Sequence, residues 1–425
     1  MKNKMFCMKR IHYGWVICFA CTLMLFVTIG MVANNFTVFM PFVKENYGFT
    51  HTQTSSLVTI RCMISFLSMW FTGLYYEKVD IRVGTALAVL FAGIGYMIFS
   101  ISTTYEMFCV GTAISGMGYG LGSMIPVSIL IEHWFIAHKA LALSICATGS
   151  GIAMIILPQM TTRLVKSVGL ALAFRIEGIC IFMAATIIFL IIRTSPEKMG
   201  LYPLGYQEVH ICIKGERDKV TDTTSEFSNV MGMTLLIGSF LMGVVANTGY
   251  AHLSVLFTNE GYNSIYIATL LSAIGLILTG SKIFFGYIVD RIGGFVASII
   301  FGTIFIIGHI FCCFVYVHSN MICILLTLTM GIGYAITTLG PSIWAGDMAS
   351  KNFYAKVIRK LQISYQAGAL IFSTVPGILA DLLGSYIPAY ILFVVFMTIS
   401  MIMVTVSYCY KNKEVKFNKY INDKI

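Results

Sequence analysis

The chain has 425 residues, of which 58% are hydrophobic and only 11% are charged, whereas a soluble globular domain carries about 25% charged residues. This composition excludes a water-soluble globular protein. The formal net charge of +10 does not indicate a nucleic-acid-binding protein, because the basic residues are spread over the termini and alternate loops instead of forming one patch.

The apolar residues form runs of about 20, the length that a helix needs to cross the hydrocarbon core of a bilayer. The runs predict twelve membrane-spanning helices, at residues 13–40, 52–76, 83–102, 106–131, 139–166, 170–193, 230–258, 265–288, 294–316, 320–345, 361–383 and 387–410. Most of the 28 Lys and Arg residues lie in the termini and in the alternate loops on the same side. The positive-inside rule therefore predicts an all-α membrane protein with both termini in the cytoplasm.

One long polar segment separates the sixth apolar run from the seventh. It covers residues 194–229 and includes the charged stretch from Lys214 to Asp222. We interpret it as a cytoplasmic linker. The chain then divides into an N-terminal six-helix half, residues 1–193, this linker, and a C-terminal six-helix half, residues 230–425, which ends in a short cytoplasmic tail.

Residues of several types recur in the two halves at nearly one spacing, which indicates an internal repeat. In the fourth and tenth spans the recurring pairs are Gly116 and Gly331, Gly118 and Gly333, Tyr119 and Tyr334, Pro126 and Pro341, and Glu132 and Asp347. In the first and seventh spans, Asn34 recurs as Asn247. Because each half has an even number of spans, the halves have the same orientation, as in a parallel repeat about an axis along the membrane normal.

A second repeated pattern follows the second and eighth spans. The two copies are Gly73-x-x-x-Glu77-Lys78-x-Asp80-x-Arg82 and Gly286-x-x-x-Asp290-Arg291-x-Gly293. They resemble the cytoplasmic signature of the major facilitator superfamily. A glycine near a helix end lets a neighbouring helix approach, and an acid beside a base can pair in one conformation and separate in another. We therefore predict a conformational latch at Gly73, Glu77, Lys78, Arg82, Gly286, Asp290 and Arg291. The alternative is two ordinary charged helix ends.

Further short motifs narrow the resemblance. They are Tyr13-Gly14-Trp15-Val16, Trp134-Phe135, Ala140-Leu141-Ala142, Gly149-Ser150-Gly151, Ser195-Pro196-Glu197 and Gly200-Leu201-Tyr202-Pro203. In these the chain resembles the monocarboxylate transporters and the bacterial oxalate/formate antiporters. The resemblance implies the twelve-helix major facilitator fold in the plasma membrane. It also implies a transporter, not an enzyme, that moves a small organic anion as an antiporter or as a proton symporter.

Basic residues inside the spans bear most on mechanism, because an unpaired charge in hydrocarbon is costly unless it faces a cavity or a partner. Lys282 lies one turn before Gly286 and about 12 Å of helix before Asp290, well inside the membrane. The antiporters that the chain resembles have a basic residue, usually Arg, at this place as a site for the substrate carboxylate. We predict the same role for Lys282. A snorkelling lysine or an internal ion pair are the alternatives.

Other polar residues within the spans are candidates for the substrate site. Arg61 in the second span is either a second contact for the anion or part of an external gate. Asn34 and Asn247, and likewise Tyr119 and Tyr334, are related by the repeat and lie in spans that line the cavity of the resembling fold. Buried amides and phenols need hydrogen-bond partners, so these four bind either one another or the substrate.

Two more sets of residues have predicted roles. Small residues and prolines in the fifth and eleventh spans predict hinges and close helix packing, at Gly149, Gly151, Pro158, Gly368 and Pro376. The titratable side chains that are candidates for carrying a coupling proton are Glu132, Glu177, His252 and Asp347.

The remaining features predict no metal, cofactor or nucleotide site. Cys18 and Cys21 form the only CxxC and have no second pair, so we interpret them as packing thiols. The stretch from Gly275 to Lys282 faintly resembles a phosphate-binding loop, but Ser281 and Lys282 are in the wrong order. We expect a small anion and membrane lipids as partners, no nucleic acid or nucleotide, and a functional monomer.

Two other functions stay open from the sequence. One is a carrier of the same fold for a neutral or cationic solute, in which Lys282 forms a structural ion pair with a protein carboxylate. The other is a non-transporting sensor or a membrane-embedded enzyme. That function requires a soluble domain or a catalytic cluster, and the sequence has neither pattern.

Overall fold

The computed structural model describes residues 12–206, 229–350 and 353–422. Twelve helical segments of these ranges are long and apolar enough to cross a membrane, and we number them as spans 1 to 12: Tyr13–Tyr47, Ser56–Lys78, Ile81–Ile101, Tyr105–Trp134, Lys139–Val168, Leu170–Ile191, Val230–Ala251, Tyr266–Ile292, Gly294–Cys313, Asn320–Met348, Tyr354–Leu383 and Ile387–Lys411. An isolated bridge between Phe135 and Leu204 is the only strand-like pairing in these ranges. The predicted all-α membrane fold is confirmed. Residues 207–228 of the predicted linker lie outside the described ranges.

Several spans consist of more than one helical segment. The α-helices are Tyr13–Leu25, Phe36–Tyr47, His51–Lys78, Ile81–Ile101, Tyr105–Leu121, Met124–Trp134, Lys139–Val168, Leu170–Ile191, Asn229–Gly243, Gly249–Ala251, Leu253–Asn259, Ser264–Ile292, Gly294–Cys313, Asn320–Gly333, Ala335–Met348, Tyr354–Ile371, Val375–Leu383 and Ile387–Asn422. Short 3-10 helices cover Glu197–Met199 and Val315–Val317.

Short polar sequences determine where the spans begin and end. Span 2 starts with a capping box, in which the Gln53 N–H donates to Thr50 Oγ1 at 3.1 Å and the Thr50 N–H donates to Gln53 Oε1 at 2.9 Å. Asp80 caps span 3 by accepting the Arg82 N–H at 2.9 Å. Span 1 ends at Gly48, whose φ of 67° is a conformation that favours glycine. These sharp ends allow short connections between consecutive antiparallel spans.

Spans 1 and 7 both change from α-helix to π-helix near the middle of the bundle. The π-helical stretches are Phe26–Asn35 and Val244–Thr248. Asn34 lies in the first stretch and Asn247 in the second, so the two asparagines occur at equivalent irregularities. Single π-helical turns in long helices are frequently found at functional sites.

The π-helical stretches expose backbone carbonyls to side chains of other spans. The Tyr96 hydroxyl of span 3 donates to the Met31 carbonyl in span 1 at 2.7 Å. The Tyr334 hydroxyl of span 10 donates to the Ala246 carbonyl in span 7 at 2.9 Å. Because a buried carbonyl without a partner is costly, these phenols stabilise the irregular backbone.

Span 11 begins earlier than the hydrophobic pattern predicts. The prediction was residues 361–383, whereas the structure has Tyr354–Leu383. The extra turns contain Lys356, Arg359 and Lys360, whose polarity lowers the local hydropathy although the helix continues. Hydropathy therefore misplaced this boundary by about two turns.

Spans 4 and 7 are interrupted where the sequence predicts continuous helices. Span 4 breaks between Leu121 and Met124, where the Thr28 hydroxyl donates to the Gly122 carbonyl at 3.0 Å. Span 7 ends at Ala251, and a separate helix, Leu253–Asn259, follows. Side-chain hydrogen bonds of this kind replace the helical bonds that a break removes.

Spans 1–6 meet spans 7–12 chiefly along spans 5 and 8 and along spans 2 and 11. We call the face of the bundle at which span 1 begins and span 12 ends the terminal face, and the other the opposite face. Near the terminal face, a Cβ added to Gly286 would lie 2.0 Å from Ser144 Oγ of span 5. A Cβ added to Gly73 would overlap the Arg359 guanidinium of span 11. Both glycines therefore permit close contact between the two sets of spans.

Candidate functional site

Lys282 lies at the contact between spans 8 and 5. Its side chain is buried, with 2% exposure. The Lys282 ammonium donates to the Ala147 carbonyl at 3.1 Å and to Ser150 Oγ at 3.0 Å. Lys282 is ten residues before the end of span 8 at Ile292, which corresponds to about 15 Å of helix. The ammonium is therefore deep in the bundle and between the two sets of spans.

The oxygens that contact Lys282 are neutral. In the described ranges, the ion pairs are Lys139 with Glu132 at 2.5 Å and Lys198 with Asp80 at 3.1 Å. Neither involves Lys282. An ammonium has three N–H donors and no acceptor, and a buried charge is normally compensated by an opposite charge. The structure thus places a buried ammonium without a charged partner of the described residues at the contact between the two sets of spans.

Tyrosines of four spans surround the middle of the bundle. The Tyr334 hydroxyl is bound to the span 7 backbone, as described above, and its ring is 5.5 Å from that of Tyr250. Tyr365 of span 11 lies next to the side chains of Thr337 and Asn247 and within electrostatic range of Tyr119. Tyr119 and Tyr334 also interact electrostatically. The two predicted tyrosines and Asn247 therefore belong to one region, to which Tyr365 also contributes.

Asn34 differs from its repeat partner in what it contacts. Its carbonyl accepts the Thr37 hydroxyl at 2.6 Å, and its side chain is half-buried. The adjacent Asn35 is fully buried instead, and its amide donates to Thr161 Oγ1 at 2.8 Å and to both carboxylate oxygens of Glu177 at 3.1 and 3.2 Å. Asn35 was not predicted, because the repeat in the sequence singles out Asn34.

Arg61 is buried within spans 1–6 and does not contact spans 7–12 through a hydrogen bond of the described residues. Its Nη1 donates to the Val32 carbonyl at 3.0 Å, and its guanidinium lies 5.4 Å from the centre of the Phe36 ring. Its Nε has no hydrogen-bond partner. Arg61 lies ten residues after the start of the span 2 helix at His51, so it is nearer the opposite face than Lys282 is.

At the terminal face, Asp290 links the two sets of spans without pairing with its neighbouring base. Its carboxylate oxygens accept the N–H groups of Ala140 and Leu141 at 3.2 and 3.0 Å. These amides form the first turn of span 5, so Asp290 caps that helix from across the interface. The guanidinium of Arg291 lies 5.2 Å from the centre of the Tyr287 ring instead.

The first copy of the pattern makes different contacts. Glu77 and Lys78 are exposed, and Gly73 accommodates Arg359. Arg82 donates from Nε to the Phe189 carbonyl at 2.8 Å and lies over the Phe189 ring. The first copy therefore contacts span 11 through its glycine, whereas the second contacts span 5 through both its glycine and its acid.

Replacing Asp290 by asparagine is expected to weaken contact at the terminal face. Asparagine offers one acceptor oxygen for two N–H donors and no charge for the helix N-terminus, a loss of about 0.5–2 kcal/mol. Hydrogen exchange of the Ala140 and Leu141 amides, measured by mass spectrometry, should accelerate by roughly two- to thirtyfold. The matched variant Glu77→Gln alters an exposed acid in the first copy and should leave this exchange unchanged. Equal acceleration in both variants would contradict the capping role of Asp290.

The predicted hinge residues lie at close helix contacts. Added Cβ atoms would lie 2.1 Å from the Thr22 carbonyl at Gly149, 2.4 Å from Thr279 Oγ1 at Gly151, and 2.2 Å from the Phe240 carbonyl at Gly368. Thus Gly149 packs on span 1 and Gly368 on span 7, while Gly151 faces span 8. The two prolines are Pro158, whose carbonyl accepts the Thr162 hydroxyl, and Pro376, in the helix after the break in span 11.

The four titratable candidates have different surroundings. Glu132 is ion-paired with Lys139 at the terminal face. His252 Nδ1 is 3.0 Å from the Thr248 carbonyl. Asp347 accepts the Tyr408 hydroxyl at 2.5 Å. Glu177 is the only one of the four that is fully buried.

The thiols of spans 1 and 5 form a packing contact. Cys18 Sγ lies 3.4 Å from Cys146 Sγ, and the Cys18 thiol also contacts the Ala142 carbonyl. In the three described ranges, no group of three His, Cys, Asp or Glu side chains has the geometry to hold a metal ion.

Comparison with known proteins gives a consistent family match. A family model described as the Major Facilitator Superfamily matches residues 20–358. An MFS-type transporter of Aspergillus terreus, pytF, is 25% identical over 291 residues, 66% of this chain and 90% of that protein. Monocarboxylate transporter 12 of Homo sapiens is 20% identical over 415 residues, 89% of this chain and 77% of that protein. A probable hexose phosphate transport protein of Chlamydia trachomatis is 23% identical over 177 residues, 41% of this chain and 39% of that protein.

Solved structures share the fold. The proton:xylose symporter XylE, bound to 6-bromo-6-deoxy-D-glucose, has a TM-score of 0.73 and 14% identity over 92% of this chain and 94% of that one. The human organic anion transporter MFSD10 has a TM-score of 0.69 and 13% identity over 92% of this chain and 99% of that one. At such low identities the similarity establishes the fold alone. The solute has to be inferred from the side chains of the candidate site.

Proposed function

This chain belongs to the Major Facilitator Superfamily, and from that premise we propose that it moves a small organic anion, a mono- or dicarboxylate, across the membrane by alternating access. Within the superfamily we place it with the monocarboxylate transporters and the oxalate/formate antiporters. The motifs around Gly149 and Lys282 support this placement, as does the similarity to monocarboxylate transporter 12.

The observation that carries the proposal is the environment of Lys282. Its charge is buried between spans 5 and 8, and its two contacts are a carbonyl and a hydroxyl. A substrate carboxylate would supply the missing negative charge and accept a charge-assisted hydrogen bond. Lysine does not form the planar two-pronged pair of arginine, so it suits a single oxygen or a small anion.

The contacts between the two sets of spans support a rocking mechanism. Ser128 and Ser342 hydroxyls lie 2.9 Å apart, Asp290 caps span 5, and Lys282 contacts Ser150. All of these contacts lie between the middle of the bundle and the terminal face. We propose that residues 1–193 and 230–425 are the moving halves, joined by the linker 194–229, and that the terminal face is cytoplasmic. On this basis the structure corresponds to a form closed towards the cytoplasm.

The relatives and neighbours bind solutes of two kinds. Their names include a monocarboxylate transporter, a probable hexose phosphate transport protein and an organic anion transporter, but also a proton:xylose symporter. A carrier for a neutral or cationic solute is therefore the second candidate. It requires a protein carboxylate beside Lys282, and the neutral oxygens at that position favour the anion. We propose function as a monomer in the plasma membrane, by exchange or proton coupling.

Thermal unfolding of the purified full-length protein with a panel of ligands tests the substrate class. A ligand that binds the folded state at about 100 times its Kd stabilises it by about 2.7 kcal/mol. We expect stabilisation by one or more of formate, oxalate, lactate and pyruvate, and none by the neutral controls lactamide, xylose and fucose. Uptake of the active anion into proteoliposomes completes the test. Stabilisation by a neutral sugar without any anion response would establish the second candidate instead.

A further inference from the structure

Glu177 of span 6 is a buried acid outside the region around Lys282. It lies seven residues after the start of span 6 at Leu170, about 10 Å of helix from the opposite face. Its exposure is 6%. The Glu177 carboxylate accepts the Thr161 hydroxyl at 2.6 Å and the Asn35 amide, as described above. A carboxylate in this position is costly to keep ionised unless protein groups replace its hydration.

The groups that face Glu177 from the surrounding spans are uncharged. Asn35 faces it from span 1, Thr161 from span 5 and Tyr96 from span 3, and Cys180 lies one turn away on span 6 itself. The Tyr96 hydroxyl is already bound to the span 1 backbone. Arg61 of span 2 is a cation of this region, since Tyr96 lies near both Arg61 and Glu177. Within residues 12–206, 229–350 and 353–422, no ion pair involves Glu177.

Asn35 suits both protonation states of this carboxyl. As the structure has it, the amide N–H groups face Glu177, and Asn35 Oδ1 is buried without a hydrogen-bond partner. This pattern matches an ionised carboxylate, which only accepts. If Glu177 binds a proton, its O–H requires an acceptor, and rotation of the Asn35 amide supplies Oδ1. Asn35 is in the π-helical stretch of span 1, so this rotation would act on a helix that packs against span 5 at Gly149.

The buried charges couple this site to the substrate. The buried Arg, Lys, Asp and Glu side chains of the described ranges are Arg61, Lys282 and Glu177. With all three ionised they carry one net positive charge. Without the anion, protonation of Glu177 raises the net buried charge from +1 to +2. With a monocarboxylate bound, the net charge is zero, and protonation of Glu177 raises it only to +1. In a low-dielectric interior, a lower net charge substantially reduces the electrostatic free energy of adding a proton. Anion binding therefore favours proton binding at Glu177, and by linkage the proton favours the anion.

We propose that Glu177 binds the proton that is transported together with the anion, with Asn35 and Thr161 as the groups that respond to its protonation. One proton passes from water to a Glu177 carboxylate oxygen for each anion bound, and both leave on the other side, with no other bond made or broken. This inference rests on the proposed anion transport and identifies it as symport.

Proton uptake on anion binding is the direct test. The stabilising anion from the panel is added to the purified protein in weakly buffered solution with a pH indicator. The wild type is expected to take up about one proton per bound anion, whereas Glu177→Gln should bind the anion and take up none. In proteoliposomes, an imposed proton gradient should drive accumulation by the wild type but only equilibration by Glu177→Gln. The control variant Glu106→Gln changes an exposed acid of span 4 and should behave as wild type.

Accumulation by Glu177→Gln that equals the wild type would overturn the inference. If Glu177→Gln does not fold, Thr161→Val provides a second test, because it keeps the carboxyl but removes one donor to its ionised form. We expect the pH profile of proton-driven uptake to shift towards higher pH in that variant, and an unchanged profile contradicts the role.

Infrared difference spectroscopy of the ligand-free protein tests the protonation of Glu177 independently of anion binding. It therefore distinguishes a failure of this inference from a failure of the proposed function. Lowering the pH should produce a protonated-carboxyl band in the wild type that is absent from Glu177→Gln. If no anion binds, the proposed function fails whatever the spectrum shows. If anions bind and the band is the same in both proteins, the proposed function stands and Glu177 is not the proton site.

Discussion

Replacing Lys282 by glutamine is expected to lower uptake of the substrate anion by about 30-fold or more. Loss of the charge that faces a desolvated anion costs on the order of 2–5 kcal/mol, and each 1.4 kcal/mol is tenfold in affinity. Because Lys282 has no charged protein partner, its removal also eliminates the cost of burying a charge. The ligand-free variant should therefore unfold at the same or a higher temperature than the wild type while its response to the anion disappears.

Two further variants show whether the charge or the contacts of Lys282 carry this effect. Lys282→Arg keeps the charge and should retain anion binding with altered selectivity, because guanidinium is a planar, two-pronged donor. Ser150→Ala removes one neutral acceptor and should reduce uptake far less than Lys282→Gln. Undiminished anion uptake by Lys282→Gln in proteoliposomes would rule out the proposed mechanism and favour a neutral or cationic solute.

Replacing Gly286 by valine is expected to disfavour closure of the terminal face and to reduce uptake by about fivefold or more. A Cβ at this position would lie 2.0 Å from Ser144 Oγ and 2.5 Å from the Ala140 carbonyl. The serine side chain can rotate away, but the backbone oxygen cannot move without shifting span 5. Such overpacking typically costs about 1–3 kcal/mol, and here it acts only on the conformation in which spans 5 and 8 are in contact.

The same helix provides the control for this variant. A Cβ added to Gly275 meets no atom within 4 Å, so Gly275→Ala tests the change in helix propensity without a clash. Hydrogen exchange in the first turn of span 5 should accelerate in Gly286→Val and stay at the wild-type rate in Gly275→Ala. Normal exchange and normal uptake in Gly286→Val would show that the close contact at Gly286 is not needed for the transport cycle.

The two predictions concern different steps of one cycle. In the proposed mechanism Lys282 determines the affinity for the anion, and its replacement should leave closure of the terminal face intact. Gly286 permits closure in that mechanism. Its replacement keeps the Lys282 charge but should separate span 8 from span 5, so that the Lys282 ammonium loses its contacts with Ala147 and Ser150. Measurement of both binding and exchange in both variants therefore distinguishes a binding defect from a conformational one.

The sequence was sufficient for the architecture, because membrane insertion is governed by local hydrophobicity. Runs of about 20 apolar residues specify spans regardless of what packs against them. The same local reasoning identified Lys282, since a charge inside an apolar run is exceptional wherever the run is placed. It failed at the start of span 11, where Lys356 and Arg359 made helical turns look like a loop.

Which side chains meet was decided only in three dimensions. Lys282 and Ser150 are 132 residues apart, and Asp290 caps a helix 149 residues away, so no local pattern connects them. The choice between Asn34 and Asn35 depends on the π-helical stretch of span 1. The repeat in the sequence singles out Asn34, whereas the contact of Asn35 with Glu177 depends on how the wider turns of that stretch orient the two side chains. Hydrophobic pattern determined the spans, and helix packing determined that Asn35 faces Glu177 and that Lys282 lies between the two sets of spans.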